Sequence, residues 1–197
     1  MLEKDTNEKQ SIKIQRVKTY FIQAAKEIIV SEGVENVTVR KVAEKAGYAY
    51  TTIYNYFTDV NELLKAVKDV MIGDVMCHMQ GDMQDKIIDL EEIKRSNRAY
   101  VTYYIDHPHI FHFFYSYRLN PESTEPELPD FEKHWEMTYG SFVEKGVIKK
   151  DDIRVIAKIM IYSIHGLLAL YFSDNGMKEE NLFEDLDSII NHLLGGK

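Results

Sequence analysis

Tyr50, Thr51, Thr52, Tyr54 and Asn55 place two phenols, two hydroxyls and a carboxamide within six residues. These groups give and take hydrogen bonds without carrying charge, which is the chemistry that reads base edges and grips phosphate oxygens. Ile53 and Phe57, at i and i+4, are the apolar pair left to anchor the segment. The spacing therefore predicts a short helix over about residues 50–56 with its polar side chains turned outward. A helix with few core anchors and many outward hydrogen-bonding groups fits a recognition helix in a DNA major groove. The plainer alternative is a surface helical hairpin of no special purpose. The preceding element must set the angle of this helix. Val39, Val42, Ala43 and Ala46 recur at helical spacing, and Thr38 is a suitable N-cap. Gly47 stands where a left-handed C-cap favours glycine. Residues 38–57 thus predict helix, glycine turn, helix.

Charge is unevenly spread along the 197 residues. Residues 12–70 hold nine Lys/Arg against seven Asp/Glu, whereas residues 71–197 hold thirteen against twenty-two, within a net charge of −8. A mildly basic head on an acidic body suits a small DNA-reading unit and argues against a chain that coats nucleic acid non-specifically. Catalysis finds no support: there is no Gly-rich phosphate loop, no HExxH and no G-x-S-x-G. Cys77 and His78 are adjacent on one predicted helix and point in different directions round its axis, a poor nucleophile–base geometry. His107, His109 and His112, with His134, His78 and Cys77, invite a metal reading. His109 and His112 lack a carboxylate or cysteine at matching spacing, so no metal and no cofactor is expected.

The single cysteine forbids an internal disulfide and suits a reducing compartment. No apolar run marks a signal peptide at the charged N-terminus. The longest apolar stretch, residues 159–172, contains His165 and is too short to span a bilayer. A cytoplasmic protein without a membrane partner is the expectation.

Helical periodicity extends through the chain, and the predicted fold class is all-α with about nine helices. A first amphipathic helix covers about residues 12–32, with Val17, Tyr20, Phe21, Ala24, Ala25 and Ile28 on one face and residues 1–11 frayed. The fourth helix begins near Val60 and reaches about residue 78, with Asp59 or Asn61 as its cap and Glu62 in its first turn. Gly81 marks a break. A fifth helix follows over about 83–105, and Pro108 opens a sixth over about 109–119. The three prolines of residues 120–130 predict a loop. Helices at about 131–145, 151–172 and 179–194 complete the chain. Residues 100–139 are dense in aromatic rings, which could be plain core or the wall of a ligand pocket.

This order resembles the N-terminal region of the TetR family of bacterial transcriptional regulators. The residues that carry the resemblance are Ala24-Ala25, Gly33, Val37-Thr38-Val39-Arg40, Val42-Ala43, Ala46-Gly47, Thr52-Ile53-Tyr54, Tyr56-Phe57 and Glu62-Leu63-Leu64, within about residues 15–68. The resemblance implies a DNA-binding head over residues 1–58 and a ligand-binding and dimerisation body over 59–197. It implies that Thr38 and Lys41 meet phosphates and that Arg40 reaches a base edge. Tyr50, Thr51, Thr52, Tyr54 and Asn55 would enter the groove, Asn55 on an adenine edge, while Tyr54 and Tyr56 offer hydroxyls to phosphates. One departure is Val60, where many members carry a phosphate-binding lysine; Lys65, one turn on, is the candidate substitute. In the body the resemblance favours a small hydrophobic or aromatic effector among Tyr103, Phe111, Phe114, Trp135 and Tyr139. It also implies a homodimer through the eighth and ninth helices, reading a near-palindromic double-stranded operator. The function expected is a repressor released by its effector. The alternative is a DNA-binding structural or division-control protein with the same head and no inducer.

Overall fold

The computed structural model describes residues 2–80, 88–119, 132–173 and 176–196, with side chains other than those of residues 2–9, 76–80 and 132–134. Among these residues all regular structure is helical. Eight α-helices and a 3₁₀ helix at Tyr50–Asn55 give nine helices, with single 3₁₀ turns at Val34–Asn36 and Lys150–Asp152. The expected loop at 120–130 and the break at Gly81 lie outside the described residues. Packing divides the chain into two compact units, Met1–Val75 with His107–Thr124 and Met76–Asp106 with Glu125–Lys197.

In the first unit, α1 (Leu2–Glu32) buries Val17, Phe21, Ala24, Ala25 and Ile28, the predicted stripe. Tyr20 is a correction: it flanks the stripe and stays exposed, its ring 6.4 Å from that of Tyr48. The helix also starts ten residues earlier than predicted. Its first turns are rich in Glu, Lys and Gln, good helix formers that carry no apolar periodicity to betray them. Gly33 closes α1 at φ 91°, and the chain turns through Val34–Asn36 into α2 (Val39–Ala46). The caps of α2 are those predicted. The Thr38 hydroxyl accepts the Lys41 N–H at 3.2 Å, and Gly47 sits at φ 77°.

After the 3₁₀ helix comes α3 (Val60–Gln80), opened by a reciprocal cap. The Glu62 N–H donates to the Asp59 carboxylate at 2.9 Å, and the Thr58 N–H donates to Glu62 at 2.6 Å. That bond holds the Glu62 carboxyl below its ordinary range. Asp59, not Asn61, is therefore the cap. The last helix of this unit, α5 (Pro108–Tyr115), has proline in its first turn and ends four residues before the predicted limit. It packs on α1 and buries Ile110, Phe111 and Phe113.

The second unit contains α4 (Leu90–Asp106), α6 (Glu132–Glu144), α7 (Ile153–Phe172) and α8 (Glu179–Leu194). The predicted start of α4 near residue 83 lies outside the described residues, and the helix begins at Leu90. Asp89 caps it, accepting the Glu92 N–H at 2.9 Å. α7 packs against α4, α6 and α8, and α4 also meets α8. The Arg98 guanidinium grips the Asp187 carboxylate with two bonds, 3.1 and 2.5 Å, and lies over the Phe183 ring. Residues Lys150–Phe172 are long and apolar enough to cross a bilayer by length and composition, more than residues 159–172 alone suggested. One side of α7, with Met160, Ile164 and Leu168, is buried in this unit. The other, with Val155, Ile159, Tyr162 and Leu170, is exposed, so this helix is a partly buried core element.

Candidate nucleic-acid interface

The recognition segment is anchored by little and presents much. Ile53 and Phe57 are buried, as their spacing predicted, while Tyr50 and Tyr54 are 53% and 55% exposed. Thr51 and Asn55 are also exposed; Thr52 is half-buried. Tyr56 is half-buried as well, its ring 5.9 Å from that of Phe21, so packing fixes the ring. The segment is a 3₁₀ helix rather than the α-helix its pattern suggested. Thr51, Thr52 and Ile53 are three successive β-branched residues, which crowd an α-turn, and short pieces of chain often take the tighter 3₁₀ form.

The cations of α2 differ in what they are free to do. The Lys41 ammonium forms an ion pair with Glu32, and Lys45 pairs with Glu27 at 3.0 Å. Both tie α2 back to α1. Arg40 meets no carboxylate among the described residues; its guanidinium lies over the exposed Tyr50 ring, 5.9 Å from the centroid. That stack joins the start of α2 to the start of the recognition segment and holds the planar fork outward. The Thr38 hydroxyl is engaged in capping and keeps a lone pair and its proton for a phosphate. Lys65 is exposed on α3 and pairs with no carboxylate among the described residues, and Val60 is half-buried. Lys18 of α1, which the sequence pattern did not single out, lies 5.2 Å from the Phe57 ring centroid. Its place follows from helix packing alone.

The candidate effector residues fall in both units. In the first, Phe111 is buried and Phe114 half-buried. Lys68 of α3 lies over the Phe114 ring and donates to the Phe114 carbonyl at 3.3 Å, and burial lowers its proton affinity. In the second, Tyr103 is half-buried, its ring edge-on to Tyr104 at 5.5 Å. Trp135 is half-buried, and Tyr139 is buried, with its phenol pushed up to about 12 by desolvation. The sequence reading passed over Tyr100 and His165. The Tyr100 hydroxyl and His165 Nε2 lie 2.9 Å apart, joining α4 to α7. Burial takes the imidazole down to about 4. A histidine inside the apolar run of α7 was the one available signal.

Residues 21–67 match the family model described as bacterial regulatory proteins, tetR family. None of the curated proteins matches the chain. Among solved structures, the fold is shared with a TetR-family regulator from Syntrophomonas wolfei at 17% identity and TM-score 0.67, covering 92% of this chain and 96% of that one. RolR in complex with resorcinol aligns at 17% identity and TM-score 0.65, covering 95% and 91%. A TetR-family regulator from Haemophilus influenzae aligns at 17% identity and TM-score 0.61, covering 90% and 96%. The tetR-family model thus matches the helix-turn-helix head of this chain, and along nine-tenths of its length the chain shares the fold of solved TetR-family transcriptional regulators.

Proposed function

We propose that the protein is a homodimeric repressor whose two heads grip a near-palindromic operator and let go when a small aromatic effector enters the body. Residues 1–58 read DNA; residues 59–197 carry the effector and the twin-subunit contact. The observation that carries the reading is the recognition segment, which keeps one buried side chain, Ile53, and turns Tyr50, Thr51, Tyr54 and Asn55 outward. Arg40 joins them, pre-organised on Tyr50 to take a guanine edge with both arms of its fork. Thr38, Lys65 and the hydroxyls of Tyr54 and Tyr56 serve phosphates. Lys41 does so after exchanging Glu32 for a phosphate, and Thr52 packs at the groove wall.

A second copy of the chain is the occupant that fits the bare face of α7. Val155, Ile159, Tyr162 and Leu170 form an apolar stripe, and an open groove of about 360 Å³ beside it is lined by Ile159, Ser163, Ser188, Ile189, His192 and Leu193 of α7 and α8. A two-fold contact there would seal both stripes at once and give the heads the symmetry of a palindrome. For the effector, the support is the partly polar aromatic interior of the body and the fold shared with RolR, which was solved with resorcinol bound.

Selection from random duplexes followed by gel shift tests the reading. A recovered inverted repeat, with affinity falling as salt rises, is the expected result. Replacing Tyr50, Thr51 and Asn55 together by alanine should abolish preference for that repeat while the helical circular-dichroism signal is kept. Unchanged preference in the folded triple variant would remove the recognition segment from the interface.

A further inference from the structure

α1 carries a run of positive charge that its own unit leaves unused. Between Glu8 and Glu27 the sequence has five cations, Lys9, Lys13, Arg16, Lys18 and Lys26, and no carboxylate. Lys26 is taken by Asp74 of α3 at 2.6 Å. Lys13 and Arg16 pair with no carboxylate among the described residues, and every side chain from Gln10 to Arg16 is exposed. Ile12 and Ile14, on nearly opposite sides of the helix, are 55% and 40% exposed, so no described neighbour covers this stretch.

Contacts within the head fix where the run lies. The ion pairs of Lys41 with Glu32 and Lys45 with Glu27 set α2 antiparallel to α1. Farther toward the N-terminus, Tyr20 meets Tyr48 of the turn, Phe21 lies 5.9 Å from Tyr56, and Lys18 lies 5.2 Å from the Phe57 ring. Read backward, α1 therefore passes the start of α2, its end, the turn and the close of the recognition segment, in that order. Arg16 and Lys13 come next, about 3 and 8 Å beyond Lys18 at a rise of 1.5 Å per residue. They are three residues apart, so both cations lie on one side of the helix. The segment they adjoin is short of positive charge. From Tyr48 to Leu64 there is no Lys or Arg, and its two carboxylates, Asp59 and Glu62, are taken up by the cap of α3.

We infer that Lys13 and Arg16 are DNA contacts, holding the phosphates that flank the groove beside the close of the recognition segment. This rests on the operator reading above and supplies the cations that the recognition segment lacks. A phosphate on the Tyr56 hydroxyl stands beside α1, because the Tyr56 ring packs near Phe21, and its neighbours along the strand meet the exposed basic side.

Salt titration of the full-length protein on its selected repeat tests this, wild type against Lys13→Gln with Arg16→Gln. Glutamine is a good helix former and both sites are exposed, so the helical circular-dichroism signal should be kept. Each lost phosphate contact lowers the slope of log affinity against log salt by about 0.9, so a dimer losing two per subunit should lose about 3–4. Affinity at about 0.1 M salt should fall at least tenfold. Preference for the repeat over a scrambled duplex should stay, since phosphate contacts carry no sequence information. The exchange Lys13→Arg with Arg16→Lys keeps both charges and should keep the slope. A glutamine variant with the wild-type slope, or a slope that falls as far in the charge-keeping exchange, would overturn the proposal and leave the operator reading standing. A wild type without salt-dependent binding to any selected duplex removes the operator reading, and these contacts with it.

Discussion

His165 shows how one side chain can set a pH limit on a whole fold. Its imidazole sits in the second unit bonded to Tyr100, and burial lowers its pKa from 6.5 to about 4. In that window the unfolded chain binds the proton and the folded chain does not. Stability therefore falls as pH drops from about 6.5 toward 4 and is flat above it as far as this group is concerned. The shift corresponds to a loss of about 2–3 kcal/mol across the window. Urea denaturation of the wild type and of His165→Gln between neutral pH and pH 4.5 measures it: the wild type should lose the larger share of its stability on acidification. Parallel curves would show that His165 titrates freely in the folded state. At this scale the sequence was a partial guide. It identified Tyr50 and Asn55 as outward and Ile53 as inward, because in so short a segment spacing alone fixes facing. It could not reveal that Lys41 pairs with Glu32 or that Arg40 rests on Tyr50, since those partners meet only when α1, α2 and the recognition segment are packed.

Elements were legible wherever a cap or an apolar period marked them. Thr38 and Gly47 bracketed α2 correctly, and α8 was placed at its observed limits. Gly47 is held at φ 77°, the Tyr48 N–H closing on the Ala43 carbonyl at 2.9 Å. A Cβ at that position would meet nothing within 4 Å. The cost of Gly47→Ala is thus backbone strain alone, about 1–2 kcal/mol, readable as a drop in the free energy of chemical unfolding. DNA affinity per folded molecule should be retained. A neutral Gly47→Ala variant would mean that the turn relaxes to another conformation. Elements were misread where the signal was missing. The first turns of α1 are polar all round, so they have no period. α5 stops at Tyr115 although residues 116–119 looked helical, because the Ser116 and Tyr117 N–H groups both close on the His112 carbonyl and end the ladder.

At the scale of the molecule, the bare stripe of α7 makes the sharpest claim. Tyr162 is 63% exposed, so Tyr162→Glu costs the single chain little. In a twin-subunit contact the same carboxylate would be buried without a partner, a penalty of several kcal/mol. Sedimentation should show the variant as a folded monomer where the wild type is a dimer. Operator affinity should fall about a hundredfold or more, because each half-site is then held by one head. A Tyr162→Glu protein that remains dimeric would place the contact elsewhere.

The amino-acid sequence by itself determined the helical class, the helix-turn-helix head and the outward set of its recognition segment. Those follow from local spacing, caps and glycine placement, which act over a few residues and are written in order along the chain. Only the tertiary structure decided which cations are already paired, which side of α7 is left bare and which interior phenol meets a histidine. Each of these depends on groups far apart in sequence, Glu32 with Lys41 or Tyr100 with His165, and their meeting is fixed by how helices pack rather than by what either residue is.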